Sequence, residues 1–256
     1  MLRRIVPRRL QHEEEATLVE HLSELRHRIF ICLLAILPAF GIAYAFHERI
    51  IERLMKLLPE GTQLVTLGVT EPFFTSFKVS FYVAFAIVLP VILWQVWAFL
   101  APAVTHETQR AIAAFVALGG VLFAAGVVFC YTIVLPKALD FLIGYDDHLY
   151  AEQVRASYFL SFVTLTMIAC GLAFEMPIIV LALVRIGVLS SQMLRSNRRI
   201  GYVVMLVFAI LLPTVDPISL FFEVVPLLVL YELSIWLAAF MERRWERGYT
   251  ETFEAP

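Results

Sequence analysis

Charge is scarce in this sequence: Asp, Glu, Lys and Arg make up only 16% of its 256 residues, and the net charge is -2. So small a charge, with no basic patch interleaved with aromatics, excludes a polyanionic partner such as nucleic acid. Cysteine is scarcer still. Cys32, Cys130 and Cys170 each lie inside an apolar run, without a CxxC pair or Cys/His ligand spacing, which excludes a zinc site and a disulfide framework. They read as small core residues. No segment repeats, inverted or parallel, in the manner of many secondary transporters. Arg3, Arg4, Arg8 and Arg9 open the chain, but Glu13, Glu14 and Glu15 part them from the first apolar stretch, so no cleaved signal peptide is expected.

What fills the chain instead is apolar: 61% of residues are hydrophobic and the mean hydropathy is +0.82, well above an ordinary soluble domain. Stretches at 29–46, 79–100, 111–135 and 158–188 can each cross ~30 Å of hydrocarbon at ~1.5 Å per residue. The apolar segment 200–240 is interrupted by Pro213, Asp216 and Pro217. Because proline penalises a continuous helix, it reads as two helices around a tight turn. The first of these, 200–212, reaches only about 20 Å and needs bilayer thinning or a neighbouring helix to shield it. The pattern is that of an all-α integral membrane protein with six spans. One membrane domain covers 1–256: a cytoplasmic segment 1–28, a core 29–240 and a polar cytoplasmic tail 241–256.

Orientation follows from the basic residues. Of the 20 Lys and Arg, only Arg49, Arg53, Lys56, Lys78, Lys137 and Arg155 fall on one side. The excess on the other side makes both termini cytoplasmic. On the extracytoplasmic side, 47–77 and 137–157 are mixed or amphipathic, with Ile50, Ile51, Leu54 and Leu57 at helical spacing. They are expected to cap the bundle at the membrane surface.

Four blocks carry polar chemistry. Ahead of the first span, His21 to Arg28 reads HLSELRHR. Leu18, Leu22, Leu25 and Ile29 share one helical face, and Glu20, Glu24 and Arg28 another. Glu24 is four residues from Arg28, so an ordinary helix ion pair stands beside the reading in which an interfacial carboxylate receives a ligand guanidinium through two charge-assisted hydrogen bonds. The second block is Glu71-Pro72-Phe73-Phe74 with Lys78, continued by Pro90 to Pro102 (PVILWQVWAFLAP) and His106-Glu107. Read alone, Trp94, Trp97 and Phe99 are interfacial aromatics and Glu107 a solvated loop acid. The third, Gly171 to Pro177 (GLAFEMP), sets Glu175 inside an apolar span, where a charge costs ~2.5–3.5 kcal/mol on insertion scales. Glu175 is then either a neutral carboxyl bonded to a neighbouring hydroxyl or carbonyl, or a group facing a cavity or partner. Pro177 kinks the helix and frees the carbonyl of Ala173. The fourth block is Leu212 to Pro217 (LPTVDP), where Asp216 suits an N-cap and Pro217 a first helical position.

These blocks, in this order and over about 18–240, resemble the TatC family, the polytopic subunit of the twin-arginine protein translocase. HLSELR resembles the family's signature before its first span, and the second block its second helix and first cytoplasmic loop. The resemblance implies a concave array of kinked helices with the last two short, in the bacterial cytoplasmic membrane. It implies a receptor that binds twin-arginine signal peptides through Glu24, Arg26, Phe99 and Glu107. It implies that Glu175 and Pro177 act within the membrane and that Pro90, Pro102 and Asp216 serve structure or translocation. It implies TatA- and TatB-type single-span partners, self-association in the receptor complex, transport of folded proteins driven by the proton gradient, and no cofactor or metal. Two positions depart from the family pattern: Arg53, near a frequent proline, and Leu220, near a frequent Gln. Two other classes were weighed. A proton-coupled solute transporter built on Glu175 would need further polar residues facing it and a repeat about a midplane site. An intramembrane enzyme would need a nucleophile and base or paired acids, and the spans offer no such His, paired Asp or GxSxG.

Overall fold

The computed structural model describes residues 18–59, 62–100, 106–145, 153–185, 187–212 and 216–253. Their helices, in chain order, are α1 Leu18–Ala45, α2 His47–Met55, α3 Glu71–Leu100, α4 His106–Phe129, α5 Leu135–Ile143, α6 Ala156–Ala173, α7 Met176–Arg185, α8 Ser191–Ser196, α9 Arg198–Ile210 and α10 Pro217–Phe253. Five helical segments are long and apolar enough to cross a membrane: Leu22–Ala45, Glu71–Phe99, Ala113–Ile143, Ala156–Arg185 and Pro217–Glu242. The 13-residue α9 is the sixth span and the one that falls short of the bilayer. The expected shortness of both closing helices holds for α9 alone. Helix α10 runs for 37 residues, because the chain beyond the apolar segment keeps its helical geometry past the membrane boundary.

Proline accompanies the breaks in two of the spans. Between α4 and α5 the backbone forms a π-helical turn, Cys130–Val134, in which Leu135 N–H donates to the carbonyl of Cys130. Pro136 follows in the first turn of α5, and the wider turn accommodates a ring that would clash with the carbonyl four residues back. The fourth span breaks at Phe174 and Glu175, before Pro177 in the first turn of α7. Pro90 lies inside α3. The extracytoplasmic segments do more than lie on the membrane. The apolar face of α2 packs onto the protein, with Leu54 buried and Ile50, Ile51 and Leu57 against the cluster of Val79, Leu135, Phe159 and Val163. Two short strands, β1 Leu64–Val65 and β2 Val154–Arg155, pair in parallel and tie the two extracytoplasmic segments together.

Helix α1 packs along α3, α3 against α4 and α6, α4 against α6, and α10 against α7 and α9. Small residues set the α4–α6 crossing. A Cβ on Gly126 would come within 2.9 Å of the Cys170 carbonyl, and one on Gly171 within 2.6 Å of the Phe123 ring. Close approach of this kind is how helices associate where lipid removes the hydrophobic drive.

Candidate functional site

At the cytoplasmic end, Glu24 lies in the second turn of α1, at the start of the Leu22–Ala45 segment. The ordinary i,i+4 pair does form: Arg28 Nε donates to Glu24 Oε1 at 3.1 Å and Arg28 Nη2 donates to the same oxygen. The guanidinium continues across to α3, with Nη1 donating to Gln95 Oε1 at 3.2 Å and Nη2 to the carbonyl of Ala98 at 2.9 Å. Ala98 is in the last turn of α3, where carbonyls lack intrahelical donors and the helix dipole is negative. Glu24 Oε1 is thus occupied. Among the described residues no hydrogen bond reaches Oε2, and the Glu24 side chain is 23% exposed.

Of the other expected members, Arg26 stands early in α1, Phe99 at the end of α3 and Glu107 at the start of α4. Arg26 is exposed and Phe99 half-buried, Phe99 directly following the Ala98 that Arg28 holds. Trp97 is buried and stacked on Phe115 of α4, ring centroids 4.6 Å apart, which fixes the end of α3 against α4. Glu107 is in the first turn of α4. Its side chain and the whole of Pro102 lie outside the described residues, as do Pro213 and the basic residues before residue 18.

Within the membrane, Glu175 sits at the break between α6 and α7 and is 3% exposed. Gly119 of α4 makes room for it: a Cβ there would lie 3.0 Å from Glu175 Oε2 and 2.7 Å from Leu93 Cδ1. Neither carboxylate oxygen meets a hydrogen-bond partner among the described residues, so of the two readings, the one in which a neighbouring hydroxyl or carbonyl satisfies it is not the arrangement found. An apolar cavity of about 430 Å³ opens between α2, α3, α4 and α6, with Leu54, Pro90, Gly120, Phe123 and Met167 on its wall. Asp216 caps α10: Oδ1 accepts from Ser219 N–H at 2.7 Å and its carbonyl from Leu220 N–H at 3.1 Å.

The sequence matches a family model described as the Sec-independent protein translocase protein TatC over residues 20–226. The TatC protein of Aquifex aeolicus is 39% identical over 89% of this chain and 96% of its own length. That of Campylobacter jejuni is 37% identical over 84% and 90%. This chain belongs to the TatC family. A crystal structure described as the twin-arginine translocase receptor TatC in DDM superposes with a TM-score of 0.76 at 38% identity, covering 85% of this chain and 99% of that one. The TatC-family chain is therefore a component of a Sec-independent protein translocase and not an enzyme, and it is a multi-pass protein of the bacterial inner membrane.

Several polar features of this chain escape a reading of sequence alone. Glu71 accepts from Arg155 Nε at 2.9 Å and from Ser157 N–H at 3.3 Å through one oxygen. Its other oxygen accepts from the N–H groups of Leu67 and Gly68. Nothing local in EPFF marks a partner so distant in the chain. At the cytoplasmic side of α9 and α10, Glu232 accepts from the Tyr202 hydroxyl and pairs with Arg198 at 3.3 Å. A second intramembrane acid, Glu223 of α10, is 1% exposed. Its signal was available, since an acid within an apolar span is the same cue that singles out Glu175.

Proposed function

We propose that this chain is the receptor of its translocase: Glu24 and Glu107, flanked by Arg26 and Phe99, bind the paired arginines of signal peptides on folded passenger proteins. The observation that carries the reading is the Glu24 carboxylate, partly exposed at the cytoplasmic end of α1, with one oxygen hydrogen-bonded and the other without a partner among the described residues. A guanidinium fork matches a carboxylate in a way an ammonium does not. Transport is driven by the proton motive force. TatA- and TatB-type single-span proteins are its partners, and self-association completes the receptor complex. The short α9 supports a partner helix as neighbour: Ile200, Val203, Val207 and Ile210 form an exposed apolar stripe on a helix too short for the bilayer. Glu175, at the Pro177 break, supplies the polar point of the inner face. Pro90, Pro102 and Asp216 serve structure or translocation, and 29–240 acts as one membrane domain between cytoplasmic ends.

The test is photocrosslinking from positions flanking Glu24 and Glu107 in membranes, with matched passengers whose signals carry Arg-Arg or Lys-Lys. Crosslinks to the Arg-Arg signal alone, weakened by Glu24→Ala or Glu107→Ala, are expected. Equal crosslinking of both signals, or none, would sink the receptor reading and reopen that of a transporter using Glu175.

A further inference from the structure

We propose that Arg28 is a built-in competitor for the Glu24 carboxylate and that it sets how strongly the site prefers arginine over lysine. The inference rests on the receptor reading of Glu24 and concerns how that site is regulated. The guanidinium of Arg28 places two of its N–H groups on one oxygen of Glu24, so the carboxylate reaches an incoming cation already neutralised by a charge of its own chain. A second cation arriving at Oε2 meets the repulsion of Arg28 at close range, in a setting where both side chains are only 20–23% exposed and water screens them incompletely.

Two ways past this barrier are open. An arginine can present a planar fork to Oε2 and share the carboxylate, or it can take Glu24 outright while Arg28 withdraws. Arg28 has a place to withdraw to, because Gln95 Oε1 and the Ala98 carbonyl already hold its Nη1 and Nη2, and the negative end of α3 favours a cation there. An ammonium is a compact, strongly hydrated point charge without the fork, so it gains less from either route. Selectivity arises as much from a repulsive element aimed at the wrong ligand as from attraction to the right one. Residues Leu22 to Arg28 thus hold both the acceptor and the group that raises its threshold.

The test uses the purified full-length chain in lipid nanodiscs and two labelled synthetic signal peptides that differ only in Arg-Arg against Lys-Lys. Four proteins are titrated: the unaltered chain, Arg28→Met, Arg28→Lys and Glu24→Gln. In Arg28→Met the Lys-Lys peptide gains affinity more than the Arg-Arg peptide does, and the Arg-over-Lys ratio falls about threefold or more, the scale of one exposed ion pair. In Arg28→Lys, which keeps the charge on Glu24 and loses the fork to Gln95 and Ala98, the ratio stays near that of the unaltered chain. A role confined to clamping α1 onto α3 predicts the reverse, with Arg28→Lys behaving like Arg28→Met. The competitor is overturned if that happens, or if Arg28→Met leaves Lys-Lys binding unchanged or weaker. Should Arg28→Met fail to accumulate, Arg28→Gln removes the same charge and is read by the same criteria. Glu24→Gln separates the two levels: undiminished Arg-Arg binding there removes the receptor reading itself, whatever the Arg28 variants do.

Discussion

Two Arg–Glu pairs lie at opposite ends of this bundle, and they differ in how completely each carboxylate is used. On the extracytoplasmic side, Glu71 spends both oxygens on four donors: Arg155, Ser157 N–H, Leu67 N–H and Gly68 N–H. These donors come from chain segments more than 80 residues apart and stand beside the paired strands β1 and β2. On the cytoplasmic side, Glu24 spends one oxygen on a neighbour four residues away, and among the described residues nothing bonds the other. A saturated carboxylate joins parts of a fold, whereas a half-used one at a partly wet surface has capacity left for a ligand. The same two residue types therefore form a clip in one place and, on the proposed receptor reading, a ligand site in the other.

The comparison can be broken by exchanging the consequences of equivalent substitutions. The largest effect is expected at Glu24. Glu24→Gln removes a charge-assisted contact of about 1.5–3 kcal/mol, so Arg-Arg signal peptide binding falls roughly 10- to 100-fold, while thermal unfolding of the detergent-solubilised protein barely moves. Glu71→Gln should do the opposite, lowering the unfolding temperature more than any other substitution named here and leaving the affinity of the folded fraction unchanged. If Glu71→Gln weakened peptide binding as strongly as Glu24→Gln, the division between clip and receptor would fail.

Smaller effects sharpen the picture between the two ends. Gly119→Val places carbon against Leu93 and the Glu175 carboxylate, and overpacking of this kind costs about 1–3 kcal/mol. Unfolding in denaturant should register that loss together with reduced export of a reporter passenger. Asp216→Ala removes the cap of α10 and costs about 1 kcal/mol, whereas Asp216→Asn keeps an acceptor and most of the stability. Recovery of export by Asn but not Ala would assign Asp216 to structure, and loss with both would assign it a direct part in translocation. Smallest of all is a salt effect: raising ionic strength should weaken Arg-Arg peptide binding modestly, by screening partly exposed charges, without altering the unfolding temperature set by the Glu71 clip.

Much of the architecture was legible in the sequence because each signal was local. Long apolar runs mark spans, the Pro213–Pro217 cluster marks the turn before α10, Pro177 marks the break between α6 and α7, and Asp216 before Pro217 marks a cap. The end of α10 was not legible, since helical hydrogen bonding continues after the apolar pattern stops. The role of Arg28 was half legible: its spacing to Glu24 shows in five residues of sequence, but Gln95 and Ala98 enter only when α1 lies along α3.

Hydropathy, the distribution of Lys and Arg, and the proline positions thus determine the membrane, the number of spans, the orientation and the bends, because each reflects the transfer of single segments between water and lipid. Which carboxylate has both oxygens bonded by the described residues and which has only one was decided by the tertiary structure. Hydrogen bonds are short and directional, and whether Arg155 reaches Glu71, or Gln95 and Ala98 reach Arg28, depends on helices and strands brought together from distant parts of the chain.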